Sequence, residues 1–364
     1  MQTSKVVGCL ALAGIGAASA RWLAKRFLCR SASCRARTAL DEVDAKGNFK
    51  RTAGGYTCTV APGTRYEPEA GRYHLYVALA CPWANGALAA LKYKGLDQVI
   101  SYSVVHPTWA RTRPADPKDE HSGWHFRAPG DAAVPNTLGY GANDCDDALI
   151  PDYVNGCKSI RDLYELANDQ VGKYTTPLLW DKKTRSIVCN ESLEILKTFD
   201  SAFDAFAKHP ERKLFKPEKK AEAEKLNEFI YPTVNNGVYR CGFATTQEAY
   251  ATAHAELFAS LDKLEERFSK STARFLTGDD FTWIDLRLYM TLVRFDPVYI
   301  VYFKTSHKRL ADYPNLLKFV RSCYAIPEIK EVTNIKHIKM HYFTSHPRLN
   351  TYGIIPVHNG PPLD

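Results

Sequence analysis

The sequence predicts an α/β domain followed by an all-helical domain. Two short runs rich in β-formers, at 73–78 and 99–105, flank a stretch at 82–94 whose apolar residues have helical spacing. Strand, helix and strand in this order form the opening unit of an α/β domain. In the second half, apolar residues recur instead at steps of three and four, as on one face of a helix.

Length and charge fit an ordinary two-domain protein. The chain has 364 residues, more than one core usually holds. It carries 48 Lys and Arg against 40 Asp and Glu, but seven of the basic residues lie in the first 40 positions, where no acid occurs. The rest is nearly neutral and lacks the basic surface of a nucleic-acid-binding protein. The ten scattered cysteines, without a CxxC pair, are typical of free thiols.

Residues 1–45 are predicted to be an extension outside the fold. The apolar run at 6–20 is too short to span a bilayer comfortably, so no stable membrane insertion is expected. Its end, Ala18-Ser19-Ala20, fits a secretory-type signal, whereas the acid-free stretch with several Arg up to Arg37 favours an organelle transit peptide. We expect a plastid or mitochondrial location, with an unprocessed tail on a cytoplasmic protein as the alternative.

The first domain is predicted to span residues 46–205. Residues 106–150 show no period and are predicted to be a long ordered loop with at most a little helix. A helix near 159–168, two strands at 176–180 and 186–189, and a helix at 192–199 complete this domain.

The all-helical domain is predicted to span 206–364, with a linker within 200–217 before it and a C-terminal tail at its end. The sequence at 245–248, TTQE, predicts a capping box before an amphipathic helix. The sequence at 282–285, TWID, predicts the start of an apolar helix at 286–295, and a further helix is predicted at 314–324.

The clearest chemical feature is the sequence Cys81-Pro82-Trp83-Ala84 at the turn from a strand into a helix. Proline at the first helical position costs no hydrogen bond. A thiol beside the unpaired N–H groups and the positive end of the helix dipole favours the thiolate form, which is the nucleophile. Because position 84 is alanine, an external thiol must resolve any mixed disulfide. One small buried cysteine among ten is the alternative interpretation of Cys81.

Two further motifs complement this thiol. Pro177 at a strand start, with a cis bond before it, would expose the backbone of Thr176 to an extended peptide. Glu191 and Ser192 begin a helix, where a hydroxyl and bare N–H groups bind a carboxylate and the Glu holds an amine. Each motif alone is more often a strand start or an N-cap. Together they fit a short peptide with an amine, a carboxylate and a thiol, which is glutathione.

Segments in both halves of the chain resemble the glutathionyl-hydroquinone reductases, the Xi class of glutathione transferases. The resemblance runs from about Gly71 to Pro356 and rests on GRYHLY at 71–76, CPWA at 81–84, VVHP at 104–107, GW at 123–124, NES at 190–192, TVNNGVY at 233–239, LVRFD at 292–296 and HYFTSHP at 341–347. It implies a thioredoxin-like N-terminal domain plus an all-α helical-bundle C-terminal domain, the glutathione transferase fold. It also implies a homodimer.

The resemblance implies a role for each matched residue. Cys81 would be the nucleophile that removes glutathione from a glutathionyl-hydroquinone, and Tyr239 and Tyr342 would bond the hydroquinone oxygens. The residues that would contact glutathione, the co-substrate, are Trp124, Lys173, Thr176, Pro177, Glu191 and Ser192. Without the resemblance, core packing is the simpler interpretation of Trp124 and the two tyrosines.

This chain departs from the family pattern at three places. Asn85-Gly86 replaces the usual His-Arg, and a glycine in a helix costs about 1 kcal/mol relative to alanine. Lys173 replaces the usual Arg, which keeps the charge but loses the two-pronged grip on a carboxylate. The segment at 108–122 is longer than usual, so we expect a reshaped rim of the site.

Other functions are less well supported by the sequence. One rival is an omega-like thiol transferase or dehydroascorbate reductase, which shares the cysteine but not the two tyrosines. The other is a non-catalytic binding protein of the same fold. His337, His341 and His346 lack an acidic partner nearby in sequence, so we expect no metal site.

Overall fold

The computed structural model describes residue 38 and residues 41–364. The predicted targeting segment lies outside the described residues. Residues 41–45, which the sequence analysis leaves in the extension, belong to the folded body. Val43 forms a β-bridge with Phe49, and the Asp44 carboxylate accepts hydrogen bonds from the amides of Lys46 and Asn48. The extension therefore ends earlier than predicted, because its last residues dock on the first domain.

The first domain contains the predicted strand–helix–strand unit and the predicted hairpin. Its elements in chain order are β1 (Tyr73–Val77), α1 (Pro82–Tyr93), β2 (Ser101–Val104), β3 (Ala110–Arg111), β4 (Ser122–Gly123), α2 (Ile160–Leu166), β5 (Leu178–Asp181), β6 (Ser186–Cys189) and α3 (Ser192–Ser201). The main sheet has the order β2-β1-β5-β6; β1 and β2 are parallel, and the other neighbours are antiparallel. Gly95, with φ +65°, follows the last turn of α1 and ends the helix.

Strand β1 shows why the sheet is covered on both faces. Tyr73, Leu75 and Val77 belong to the apolar cluster that includes the buried side chains of α1 and α3. Tyr76, which points the other way, belongs to the cluster that contains Ile160 of α2. This alternation follows from the two-residue period of a strand. The carboxyl end of β1 is therefore buried on both faces, and the turn that leads into α1 begins from this buried end.

The segment at 106–150 is an ordered loop, as predicted, and contains no helix. The stretch at 110–123 of this loop contains a small hairpin, in which β3 pairs with β4. Thr108 and Trp109 at its start bond to Thr344 and Ser345 of the second domain, over 2.7 and 3.0 Å. The start of this segment therefore forms part of the contact between the domains, and its greater length relative to the family stays a prediction.

The second domain is helical, as predicted. Its helices are α4 (Lys220–Ile230), α5 (Gly237–Gly242), α6 (Gln247–Ser269), α7 (Trp283–Leu292), α8 (Ile300–Tyr302), α9 (Pro314–Tyr324), α10 (Pro327–Val332) and α11 (Ile335–Thr344), with π-helical turns at Tyr231–Asn235 and Phe295–Tyr299. Within the described part of the chain, no helix has the length and apolar character needed to cross a membrane.

Two helix starts test the capping predictions. The capping box predicted at 245–248 is wrong, because the N-cap of α6 is Thr246 and its hydroxyl accepts from the amide of Ala249. The second start is confirmed: Thr282 caps α7, and the buried Asp285 carboxylate accepts from the amide of Thr282 over 2.9 Å. Helix α7 begins three residues before the predicted apolar run.

One apolar core extends through both domains. Helix α1 packs on the sheet and also contacts α7 and α10 of the helical domain. The N-terminus of α1 therefore lies where the two domains meet, and the residues around it come from both.

We expect Gly242→Ala to lower the free energy of unfolding by about 2 kcal/mol, because overpacking a filled core costs about 1–3 kcal/mol. A Cβ on Gly242 in α5 would overlap the buried ring of Phe303. Gly86→Ala in α1 is the matched control, since its Cβ would meet only Met290 Cγ at 3.7 Å. It should gain up to about 1 kcal/mol from helix propensity. Urea unfolding measures both variants, and equal effects would contradict the packing described here.

Candidate active site

Cys81 is the N-cap of α1, the position predicted for a nucleophile. Its φ and ψ of −74° and 121° are extended, and Pro82 occupies the first helical turn. The side chain is half-buried, and its Sγ lies 3.7 Å from the carbonyl oxygen of Thr176. The sulfur thus lies at a helix start, where the N–H groups of the first turn have no partner within the helix.

A buried arginine of the helical domain holds the turn that presents Cys81. Arg294 is fully buried, and its Nε and Nη2 donate to the carbonyls of Ala80 and Leu79 over 3.1 and 3.0 Å. Nη2 also donates to Oδ1 of Asn85 over 3.0 Å. The residues on either side of the cysteine are therefore fixed by the same guanidinium group. Arg294 lies in the motif LVRFD, but its role is not predictable from the sequence because its partners Leu79 and Ala80 are more than 200 positions away.

Cys81 opens into a cavity of about 190 Å³ between the two domains. Its lining includes all nine predicted site residues: Cys81, Trp124, Lys173, Thr176, Pro177, Glu191, Ser192, Tyr239 and Tyr342. Residues separated by more than 250 positions are thus brought to one site. The cavity also includes residues that the sequence analysis missed, among them Glu42, Arg51, Thr52, Trp109, Arg287 and His341.

The Thr176–Pro177 peptide bond is cis, as predicted. Tyr164 supports the residue before it, because its hydroxyl lies 3.1 Å from the carbonyl of Thr175. The hydroxyl of Thr176 is buried and has no hydrogen-bond partner in the described chain. The backbone around Thr176 therefore forms a rigid polar wall opposite the sulfur.

Glu191 and Ser192 begin α3 at the edge of this wall. Glu191 is the N-cap, and its Oε1 accepts from the amide of Gly54 over 2.5 Å. The amide of Asn190 holds the same segment, because its Nδ2 donates to the carbonyl of Gly54 over 3.0 Å. A Cβ on Gly54 would lie 2.5 Å from Asn190 Oδ1, so only glycine permits this close approach.

Lys173 is engaged by the segment that precedes the first domain. Its Nζ donates to Oε1 of Glu42 over 2.6 Å and to the carbonyl and hydroxyl of Thr52 over 2.5 and 3.1 Å. These three bonds match the three donors of an ammonium group. The prediction that Lys173 contacts a ligand therefore stays a prediction, and the structure adds a second role for it. Glu42 was missed because its partner lies 131 positions away.

Trp124 belongs to a group of aromatic rings that forms one wall of the cavity. It stacks on His341 with ring centroids 4.3 Å apart, and Trp109 meets it edge-on at 5.6 Å. Burial lowers the pKa of His341 well below its usual value, so the imidazole is neutral. Its Nδ1 then donates to the carbonyl of Pro107 over 2.9 Å. The wall is therefore apolar and uncharged at neutral pH.

Tyr239 and Tyr342 form a hydrogen-bonded pair in the same cavity. Their hydroxyl oxygens are 2.7 Å apart, and the Tyr299 hydroxyl lies 3.3 Å from that of Tyr342. Burial raises the pKa of Tyr239 and raises that of Tyr342 well above its usual value. Both phenols therefore stay protonated at neutral pH and can donate a hydrogen bond. Tyr299 was missed because it is fully buried and reaches the site only through its hydrogen bond with Tyr342.

The three C-terminal histidines have separate partners. Nε2 of His337 lies 2.9 Å from Asp146, and Nδ1 of His346 lies 2.5 Å from the hydroxyl of Tyr302. Burial lowers the pKa of His346 to about 4. Among the described residues, no group of three His, Cys, Asp or Glu side chains is arranged to hold a metal ion.

Comparison with known proteins agrees with this geometry. Two family profiles match, the glutathione S-transferase N-terminal domain at residues 80–202 and the C-terminal domain at residues 247–322. The glutathionyl-hydroquinone reductase YqjG of Escherichia coli is 42% identical over 330 residues, which cover 88% of this chain and 92% of that protein. The glutathionyl-hydroquinone reductase PcpF of Sphingobium chlorophenolicum is 39% identical, covering 89% of this chain and 93% of that protein. The glutathione-bound structure of YqjG superposes with a TM-score of 0.73 at 39% identity, covering 86% of this chain and 94% of that one.

The chain belongs to the glutathionyl-hydroquinone reductases of the glutathione transferase superfamily. The resemblance found in the sequence, and the glutathione transferase fold it implies, are thereby confirmed. Within this reductase family, the Asn85-Gly86 departure has a structural reason at its first position. Asn85 is fully buried in α1, where its amide donates to the carbonyl of Val332 over 2.8 Å and accepts from Arg294. Helix α1 is thus tied to both α10 and the arginine that holds the Cys81 turn.

We expect Lys173→Met to destabilise this reductase by about 3 kcal/mol, because it leaves the Glu42 carboxylate buried without a counter-ion. The two side chains are only 8% and 7% exposed. A double variant, Lys173→Met with Glu42→Leu, should recover most of the loss. Lys183→Met is the control, since its pair with Glu69 is 64% and 48% exposed and contributes at most about 1 kcal/mol.

Urea unfolding measures these variants, and hydrogen exchange at residues 41–54 reports whether the segment detaches. A loss for Lys173→Met no larger than that for Lys183→Met would show that the Glu42–Lys173 pair does not hold the segment.

Proposed function

We propose that this protein reduces glutathionyl-hydroquinones to hydroquinones, with glutathione as co-substrate and Cys81 as the nucleophile. The main support is the placement of Cys81 and of the Tyr239–Tyr342 pair in one cavity. A thiol at a helix N-terminus is suited to attack sulfur, and two protonated phenols are suited to bind ring oxygens. The curated relatives with glutathionyl-hydroquinone reductase activity in their names support the same substrate class.

Glutathione would lie along the wall formed by β5 and the start of α3. The backbone of Thr176 would pair with the peptide, and Glu191 and Ser192 would hold its γ-glutamyl end. Trp124 would cover it, and Lys173 would face its other carboxylate. The glutathione-bound structure of the Escherichia coli relative supports a glutathione site in this fold.

The reaction would proceed in two steps, each of which is the attack of a thiolate on a sulfur atom. The Cys81 thiolate attacks the glutathionyl sulfur, so that a Cys81–glutathione disulfide forms and the bond from sulfur to the ring breaks. The electron pair of that bond passes to the ring, which takes up one proton with help from Tyr239 or Tyr342. The hydroquinone then leaves. A second glutathione, as thiolate, attacks the mixed disulfide, releases oxidised glutathione and regenerates the Cys81 thiolate.

Two further expectations from the sequence are proposals of the same kind. The resemblance to the Xi class supports a homodimer. The apolar and arginine-bearing segment before residue 38 supports delivery to a plastid or mitochondrion, with the cytoplasm as the alternative.

We expect Cys81→Ser to reduce turnover of a glutathionyl-hydroquinone at least about a thousandfold, because the variant lacks the nucleophile that forms the intermediate. Mass spectrometry of the full chain after exposure to oxidised glutathione should show a glutathione adduct on Cys81 that disappears in this variant. Cys58→Ser is the control, because Cys58 is exposed and does not line the cavity. Retention of most activity by Cys81→Ser would refute the mechanism, and a non-catalytic binding protein would show no adduct at all.

We expect Tyr239→Phe and Tyr342→Phe each to reduce kcat/KM for a glutathionyl-hydroquinone by about a hundredfold, the usual contribution of a positioned proton donor. Reduction of dehydroascorbate or of a glutathione mixed disulfide needs neither hydroxyl and should change less than about twofold. Tyr313→Phe is the control, because its hydroxyl donates to Asp262 and it does not line the cavity. Equal losses on all substrates would show that the two hydroxyls support the structure of the site in general, and no loss on any substrate would favour the omega-like thiol transferase.

A further inference from the structure

Arg51 is a cationic side chain held among aromatic rings at the cavity. Its guanidinium carbon lies 4.8 Å from the ring centroid of Tyr239 and 5.2 Å from those of Phe49 and Trp83. Its Nε donates to Oδ1 of Asn236 over 2.9 Å. Contacts of this kind hold the guanidinium in position, but they provide no negative charge to balance it.

The charge of Arg51 is not neutralised by the protein. Among the described residues, no carboxylate forms an ion pair with it, and its Nη2 is buried without a hydrogen-bond partner. Lys173, the other cation in the cavity wall near the N-terminal segment, is paired with Glu42. Because Lys173 already has a carboxylate partner, a group that becomes negative in the cavity gains more from Arg51 than from Lys173.

Arg51 faces the tyrosine side of the site. It lines the same cavity as Cys81, Tyr239 and Tyr342. Burial raises the pKa of Tyr239, and the positive charge of Arg51 acts against that rise. The guanidinium therefore makes the space around the Tyr239 hydroxyl favourable for negative charge.

The proposed reaction places negative charge on a ring oxygen. If the carbon that bears sulfur first takes up a proton while the neighbouring hydroxyl loses one, the ring becomes a keto tautomer. Attack of the Cys81 thiolate on sulfur then forms the S–S bond and breaks the C–S bond. The electron pair of the C–S bond ends on that oxygen as a phenolate, and one proton completes the hydroquinone. Without an oxygen to accept the electron pair of the C–S bond, the negative charge would stay on a ring carbon. A carbanion of this kind is a much poorer leaving group than a phenolate.

We propose that Arg51 binds the ring oxygen next to the C–S bond and stabilises it as a phenolate while the hydroquinone leaves. This inference rests on the proposed function and narrows the substrate class. A substrate would need a phenolic oxygen on the ring carbon beside the thioether, so S-aryl glutathione conjugates without that oxygen would not react. The electrostatic contribution resembles that of an oxyanion-binding donor.

Arg51 could instead bind a carboxylate of glutathione, and the two roles predict different results. A glutathione-binding residue would affect every substrate that carries glutathione. A phenolate-binding residue would affect only those whose leaving group is a phenol.

The test compares Arg51→Gln and Arg51→Lys with the wild type on two substrates, a glutathionyl-hydroquinone and a mixed disulfide of glutathione with 2-mercaptoethanol. We expect Arg51→Gln to lower kcat/KM for the hydroquinone substrate by about 10²–10³-fold, as for loss of one oxyanion donor. The mixed disulfide should change less than twofold, and Arg51→Lys should lose less because it keeps the charge. Arg65→Gln, which removes an exposed arginine from the ring of Tyr66, is the control.

A series of chlorinated glutathionyl-hydroquinones separates catalysis from structure. Electron-withdrawing substituents stabilise the phenolate by themselves, so the loss caused by Arg51→Gln should shrink as the leaving phenol becomes more acidic. A structural defect would lower all rates by the same factor.

Three outcomes would overturn the inference: equal losses on both substrates, a loss that does not depend on phenol acidity, or no loss. Failure of the proposed function is distinct, since the wild type would then reduce the mixed disulfide but not the glutathionyl-hydroquinone.

Discussion

The buried guanidinium of Arg294 is the interaction on which the site depends, because it joins the two domains at the nucleophile. It lies on the helical domain, yet it donates to the carbonyls of Leu79 and Ala80, the two residues before Cys81. Those carbonyls lie between a strand and a helix and have no regular ladder to satisfy them. The thioredoxin-like domain alone would leave this turn without its donors. The position of the sulfur is therefore a property of both domains together.

The N-terminal segment completes the other side of the cavity in a similar way. Residues 41–54 cross the first domain and use its polar groups, with Glu42 on Lys173 and the Gly54 amide on Glu191. Two of the residues predicted to hold glutathione are thus also the residues that hold this segment. The segment in turn delivers Arg51 to the cavity. In the proposed binding mode, the peptide and the segment would share these side chains, so binding of one would affect docking of the other.

The sequence predicted local features well and distant partners poorly. The strand–Cys–Pro–helix turn, the cis Thr176–Pro177 bond and the start of α3 depend on neighbouring residues, and all are found. Tyr239 and Tyr342 came only from the family resemblance, since periodicity alone reads them as core. Glu42, Arg51 and Arg294 were missed because their partners lie between 131 and 215 positions away, or are rings rather than charges. No periodic pattern encodes such contacts, which arise only when the domains pack.

In the proposed reaction, the distribution of positive charge around the cavity favours cleavage of the carbon–sulfur bond. At the sulfur end, the start of α1 and the carbonyl-bound Arg294 supply positive potential without a counter-ion among the described residues. At the ring end, aromatic rings hold Arg51, which has no carboxylate partner among the described residues. The bond to be broken would thus lie between two positive regions, while the wall of Trp124 and the neutral His341 limits water. In such a low-dielectric space, negative charge that moves from the attacking sulfur to the leaving oxygen stays close to fixed positive groups.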